Sequence, residues 1–161
     1  MSLVIRKAKI EDASVILRFV KELARYEEAE QEVTATVSMI EESIFSKDST
    51  THALICERGN EPIGFAVYFF NYSTWQGKNG LYLEDLYVSE SERGSGAGKR
   101  LLGYLAHEAI KNDCGRFEWN VLHWNEPAIQ FYKSLGAVEK SEWRGYQLTG
   151  ESLLALAETA N

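Results

Sequence analysis

The stretch Leu81-Tyr82-Leu83-Glu84-Asp85-Leu86-Tyr87-Val88, followed shortly by Arg93-Gly94-Ser95-Gly96-Ala97-Gly98-Lys99, decides the fold. The first part lies in a long strand expected over Gly80–Ser89, and the second opens a helix expected over Lys99–Asn112. That helix carries an apolar stripe of Leu101, Leu102, Leu105, Ala106 and Ala109, and Gly115 stops it. Glycines between a strand and a helix let the backbone take positive φ and approach a ligand closely. The amides of the helix start then point at an anion, with the helix dipole favouring negative charge. A pyrophosphate suits such a turn. The pattern is not a P-loop: Arg93 stands where that motif needs a glycine, and Arg100 where it needs Ser or Thr. Nor is it a dinucleotide fingerprint, because Lys99 occupies the place of the third glycine. A plain strand-to-helix joint is the remaining alternative.

Upstream, Leu3–Ala8 alternates like a strand. Val15, Ile16, Phe19, Val20 and Leu23 give a helix after Asp12, and Tyr26–Glu32 is a polar, acidic connection. Thr36 caps a second helix carrying Val37, Ile40, Ile44 and Phe45. His52–Glu57 and Pro62–Asn71 form a hairpin about Arg58-Gly59-Asn60-Glu61. Downstream, Phe117–Leu122 reads as a strand. Asn125 caps a helix with Pro127 in its first turn, and Gly136 ends it. Trp143–Leu148 is expected as a closing strand and Ser152–Ala157 as a short terminal helix. The class is α/β (α+β) with a mixed sheet, in a single domain over residues 1–161.

The net charge of −7 argues against a nucleic-acid partner and permits a cationic one. No apolar run is long enough to span a bilayer, and charge at Arg6 and Lys7 argues against a signal peptide. Cys56 and Cys114 stand alone, so a reducing cytoplasm is expected. His52, His107 and His123 are too scattered for a metal site.

Arg93, Gly96 and Gly98 match the coenzyme A motif of the GCN5-related N-acetyltransferases: Arg or Gln, two residues, Gly, one residue, then Gly or Ala. Leu81–Val88 and the segment from Trp124 to Ala137 are similar to family segments in the same order. The segments Lys21–Glu27 and Tyr72–Gly77, with Trp143, resemble the diamine acetyltransferase branch, whose members act on polyamines or thialysine. The resemblance covers nearly the whole chain. It implies a sheet of about seven strands, splayed at its middle, and a homodimer.

The same resemblance implies a site. Arg93, Gly94, Ser95, Gly96, Ala97, Gly98 and Lys99 would hold the pyrophosphate of acetyl-CoA. Leu86, Tyr87 and Val88 would offer main-chain groups to its pantetheine arm, and Asn125, Glu126, Pro127 and Ala128 would face the coenzyme. Tyr132 would be the acid that protonates the leaving thiolate, and Glu84 the proton acceptor, directly or through water. Strict alternation would send Glu84 and Asp85 to opposite faces of the strand, with Glu84 in an apolar setting that raises its pKa. Tyr26, Glu27, Trp75 and Glu84 would bind a small cationic amine, Trp75 by a cation–π contact. Ser73 departs from the polyamine enzymes, which carry an acid there, and so favours a shorter, lysine-like amine. Glu142 is a candidate for a further substrate acid. Other acceptors, such as a protein N-terminus or an aminoglycoside, and a non-catalytic acetyl-CoA sensor stay open at this point.

Overall fold

The computed structural model describes residues 1–160, in two compact units that divide after Leu122. The first holds β1 (Leu3–Lys7), α1 (Ala13–Tyr26), α2 (Val37–Phe45), β2 (Thr51–Arg58), β3 (Glu61–Ser73), β4 (Lys78–Val88), α3 (Ala97–Lys111) and β5 (Phe117–Trp119). The second holds α4 (Glu126–Ser134) and α5 (Gly150–Ala157). Among the described residues, no helix is long and apolar enough to cross a membrane.

Local chemistry explains most of these elements. Gly59 and Asn60 both take left-handed φ, 58° and 69°, which a two-residue hairpin turn needs. Thr36 Oγ1 accepts the Met39 N–H at 3.2 Å and starts α2. Asp12 accepts from the Lys9 N–H at 2.7 Å and from Arg6 at 2.8 Å, while Arg6 also reaches Glu57 at 3.2 Å. These bonds tie β1 to the start of α1 and to β2. The Arg6 guanidinium holds the Asp12 carboxyl below its ordinary pKa.

The five strands form one sheet in chain order. The first three pairings are antiparallel and β4–β5 is parallel, so the sheet is mixed. One face packs on α1 and α2 through Ile16, Phe19, Ile40, Ile55, Phe65, Val67 and Tyr87. Phe19 is fully buried and stacks on Phe65 with ring centroids 5.7 Å apart. On α3, Ala97, Leu101, Leu102, Leu105 and Ala109 are buried.

A register shift breaks β4. Tyr68 pairs with Leu83 and Val67 with Asp85, which leaves Glu84 as an extra residue without a partner of its own on β3. Side chains on the two sides of a bulge no longer alternate strictly. Leu83 therefore shares a face with Tyr68, while Asp85 and Tyr87 lie with Val67 and Phe65 on the α1 side. The opposite-faces rule expected for Glu84 and Asp85 does not survive the bulge.

The bulge also limits β5. Its pairs are Leu81–Phe117, Tyr82–Glu118 and Leu83–Trp119, and pairing ends where Glu84 would come next. β5 is therefore three residues rather than the expected Phe117–Leu122. Among the described residues the sheet has five strands, not about seven. The expected closing strand at Trp143–Leu148 is absent: these residues are exposed and carry no ladder pairing. A strand exists only where a neighbour takes its main-chain groups, and sequence alternation supplies no neighbour.

Phe19→Ala should cost about 3–5 kcal/mol of unfolding free energy, because the cavity opens under both Phe65 and Tyr87. Urea denaturation monitored by circular dichroism checks this. A loss below about 1 kcal/mol would mean that α1 is not pinned there.

Candidate active site

The glycine loop has the geometry its sequence demands. Gly94 and Gly96 take φ of 81° and 88°, a region closed to most side chains. Gly96 is the N-cap of α3 and brings no side-chain hydrogen bond. The first amides of a helix have no acceptor within it, so the start of α3 presents free donors. A Cβ built on Gly94, Gly96 or Gly98 meets nothing within 4 Å. At Gly98, whose backbone is helical, the glycine thus leaves room in front of the helix rather than relieving strain. An open groove of about 740 Å³ runs between β1 and α3 beside the loop, lined by Leu3, Ile5 and Tyr104 as well as by Ser95, Lys99 and Arg100. Uncapped amides, open space and cations make a site for a phosphorylated ligand, and a pyrophosphate fits the donor set.

Beyond the bulge β4 continues to Val88 while β5 has ended. Among the described residues, 85–88 pair with β3 on one side and have no strand on the other. That edge holds Leu86, Tyr87 and Val88, the three residues expected to offer main-chain groups. An extended amide-containing arm can pair there as a strand would.

Three carboxylates lie near one another: Asp85, Glu27 and Glu84. Asp85 is half-buried, and its pKa is pushed up to about 6 by burial and by the charges of Glu84 and Glu27. Glu27, just past the end of α1, is also half-buried and raised by burial. Glu84 is exposed, so the buried carboxylate of this strand is Asp85, a residue the sequence reading passed over. Its signal is the bulge, which pattern alone does not reveal. Tyr87 donates its hydroxyl to Glu22 at 3.0 Å. The Arg93 guanidinium lies 4.6 Å from the Tyr26 ring centre and 5.7 Å from that of Tyr87. Arg93 thereby couples the glycine loop to the end of α1 and covers one face of Tyr26.

Trp75 does not join this group within one chain. It is 89% exposed at the β3–β4 hairpin. Lys78, where β4 begins, is about 23 Å along the strand from Asp85 at about 3.3 Å per residue. Ser73 is buried, and its hydroxyl accepts the Gln76 N–H at 3.2 Å. It builds the hairpin turn. Glu142 is exposed and ion-paired to Lys140 at 3.0 Å.

In the second unit Asn125 Oδ1 accepts the Ala128 N–H at 3.4 Å and caps α4, with Pro127 in the first turn. Glu126 accepts from Gln130 at 2.6 Å. Tyr132 is half-buried on α4, its ring 5.8 Å from that of Phe131. Gly136 follows the helix at φ 90°.

A family model described as "Acetyltransferase (GNAT) family" matches residues 16–137. The chain belongs to the GNAT acetyltransferases. Thialysine N-epsilon-acetyltransferase of Sus scrofa is 35% identical over 97% of this chain and 98% of that protein. Spermidine/spermine N(1)-acetyltransferase-like protein 1 of Homo sapiens is 34% identical over 95% of this chain and 23% of that larger protein. Among solved structures, an integron cassette protein from V. cholerae superposes with a TM-score of 0.81 at 29% identity, covering 98% and 99% of the two chains. This GNAT protein is an acetyl-CoA-dependent N-acetyltransferase.

Two tests follow from the site. Gly98→Leu should fold normally yet weaken acetyl-CoA binding at least about tenfold, because the side chain fills open space before the amides; calorimetric titration and a melting curve check both halves. Asp85→Asn should stabilise the protein at pH 7.5 by up to about 3 kcal/mol, the ceiling set by a two-unit shift. Asp85 binds its proton more tightly folded than unfolded, so its burial costs stability above pH 6 and costs nothing below about pH 4. The gain should vanish at pH 4, which melting curves at the two pH values test.

Proposed function

We propose that the protein moves the acetyl group of acetyl-CoA onto a primary amine of a small cationic substrate, a lysine-like amino acid of the thialysine type before a polyamine. The observation that carries this reading is the pairing of an anion-binding helix start with half-buried carboxylates on the same strand–loop–helix unit. The near full-length similarity to a thialysine enzyme supports the amine class. The use of Ser73 as a turn residue supports a short acceptor, since no acid stands there to hold a distant amine.

Acetyl-CoA supplies a thioester whose carbonyl carbon is open to attack. The chain does the rest. Amides from Gly94 to Lys99 hold the pyrophosphate, and the free edge at Leu86–Val88 orients the pantetheine arm, where an amide can polarise the carbonyl. Asn125, Glu126, Pro127 and Ala128 face the coenzyme. Glu84, Glu27 and Tyr26 receive the cationic amine, with Glu84 on the path of its proton. Tyr132 gives a proton to the departing sulfur. We treat both units as one catalytic domain because the family match runs through Leu122.

A homodimer completes the proposal. None of the described residues from His123 on is buried, and Trp143, Tyr146 and Leu148 expose 63%, 94% and 44% of their surfaces. A second copy would cover them and could bring its Trp75 to the amine. Both cysteines are free, Cys56 within the core, which suits a reducing cytoplasm.

Incubation with acetyl-CoA and thialysine, lysine, spermidine, putrescine or a peptide, following free thiol, should show release with thialysine and lysine above the polyamines. Release with peptide alone rejects the small-amine reading. Acetyl-CoA binding without release from any amine makes the protein a sensor. Tyr132→Phe should lower kcat at least about a hundredfold with little change in acetyl-CoA affinity. Sedimentation velocity should give a dimer, and a monomer at micromolar concentration removes Trp75 from the site.

A further inference from the structure

We propose that Asp85 is the carboxylate that takes the proton from the substrate ammonium, with Glu84 passing it to solvent, an assignment that rests on the amine acetyltransferase reading. The argument begins with charge. Asp85 and Glu27 are half-buried, and among the described residues no Lys or Arg forms an ion pair with either. The groups around Asp85 can be named by element. Glu27 at the end of α1 and Glu84 on β4 are the charges that raise Asp85, Val67 faces it from β3, and Glu22 and Arg93 act on Tyr87, two residues along β4. Glu22 is engaged by the Tyr87 hydroxyl at 3.0 Å and by Arg18 at 3.6 Å. Arg93 lies on the Tyr26 and Tyr87 rings. The fold thus holds carboxylates partly out of water and gives them no counter-ion of its own. A cation from outside is the group that fits.

Position then separates the two β4 carboxylates. The bulge turns Asp85 toward the α1 side, where water is scarce, and leaves Glu84 exposed. A base that must strip an ammonium works best where its proton affinity approaches the working pH, and Asp85 titrates near 6. An exposed neighbour is placed to exchange that proton with water. In the step, an ammonium N–H bond breaks, its electron pair stays on nitrogen, and an O–H bond forms on Asp85. The nitrogen pair makes the new C–N bond as the thioester C–S bond breaks. Sulfur gains one proton, balanced by the second that nitrogen loses on becoming an amide. The proton on Asp85 leaves through Glu84, so one proton reaches solvent per acetyl moved.

The test is the pH profile of kcat with saturating thialysine for the full chain and for Asp85→Asn, Asp85→Glu and Glu84→Gln, with acetyl-CoA affinity measured for each. Asp85→Asn should lower kcat at least about a hundredfold, keep acetyl-CoA affinity within about twofold, and lose the acidic limb near pH 6. Asp85→Glu should restore part of the rate and the limb. Glu84→Gln should lower kcat about tenfold and keep the limb. Asp85→Asn within about threefold of the parent rate, or loss of the limb in Glu84→Gln alone, overturns the assignment. Should Asp85→Asn fail to bind acetyl-CoA, carboxyl NMR of the parent decides: the chain has four aspartates, and one must titrate near 6. No aspartate titrating above 5 overturns it. Absence of thiol release by the parent with any amine sinks the enzyme reading itself, and this assignment with it.

Discussion

One unpaired residue in β4 organises the molecule. Register in a sheet is a matter of parity, so a single inserted residue reverses which side chains face which layer. Before Glu84 the strand gives Leu83 to the side of Tyr68; after it, Asp85 and Tyr87 go to the side of α1. The same insertion stops β5 after three pairs and exposes an edge of β4. A carboxylate beside α1 and a free main-chain edge arise from one event. On the proposed reading, substrate proton chemistry and coenzyme orientation would both depend on this one feature of the backbone.

Electrostatics follows the same division. The glycine loop side offers amides, Lys99 and Arg100, and so favours an anion. The α1 side offers Glu27, Glu84 and Asp85, and so favours a cation. Arg93 lies between them, and its rings are Tyr26 and Tyr87 rather than a carboxylate. Placed against Asp85 it would neutralise the acid cluster and remove the attraction for an ammonium. Stacked on aromatic faces it keeps its charge near the loop and leaves the acids available. The raised pKa of Asp85 is the stability cost of that arrangement, the kind of local conflict that marks functional sites.

Much of this was legible in the chain. Turn chemistry gave the Gly59–Asn60 hairpin, cap chemistry gave Thr36 and Asn125, and the glycines from 94 to 98 announced a ligand-facing helix start. Each is a local rule in which a residue type forces a backbone state. What stayed hidden depends on pairing between distant segments. Nothing in Leu81–Val88 alone tells that Glu84 lacks a partner on β3, so alternation promoted the wrong carboxylate to the buried position. For the same reason Trp143–Leu148 alternates like a strand yet pairs with none. Trp75 was grouped with Glu27 by resemblance, while strand length keeps them apart within one chain.

Ser73 shows how a substrate preference can be rooted in folding. Its hydroxyl caps the turn that closes β3 onto β4, and its side chain is buried there. A carboxylate in that place would have to leave the turn and reach solvent, which would put a second acidic anchor at the hairpin. Without it, the acid beside the start of β4 is Asp113, paired with Lys78 at 3.1 Å, while the half-buried acids Glu27 and Asp85 lie between the bulge and the end of α1. On the proposed reading, an amino acid with one side-chain amine would place its reactive nitrogen near Glu27, Glu84 and Asp85. On the same reading, the turn that occupies Ser73 would also favour a short acceptor.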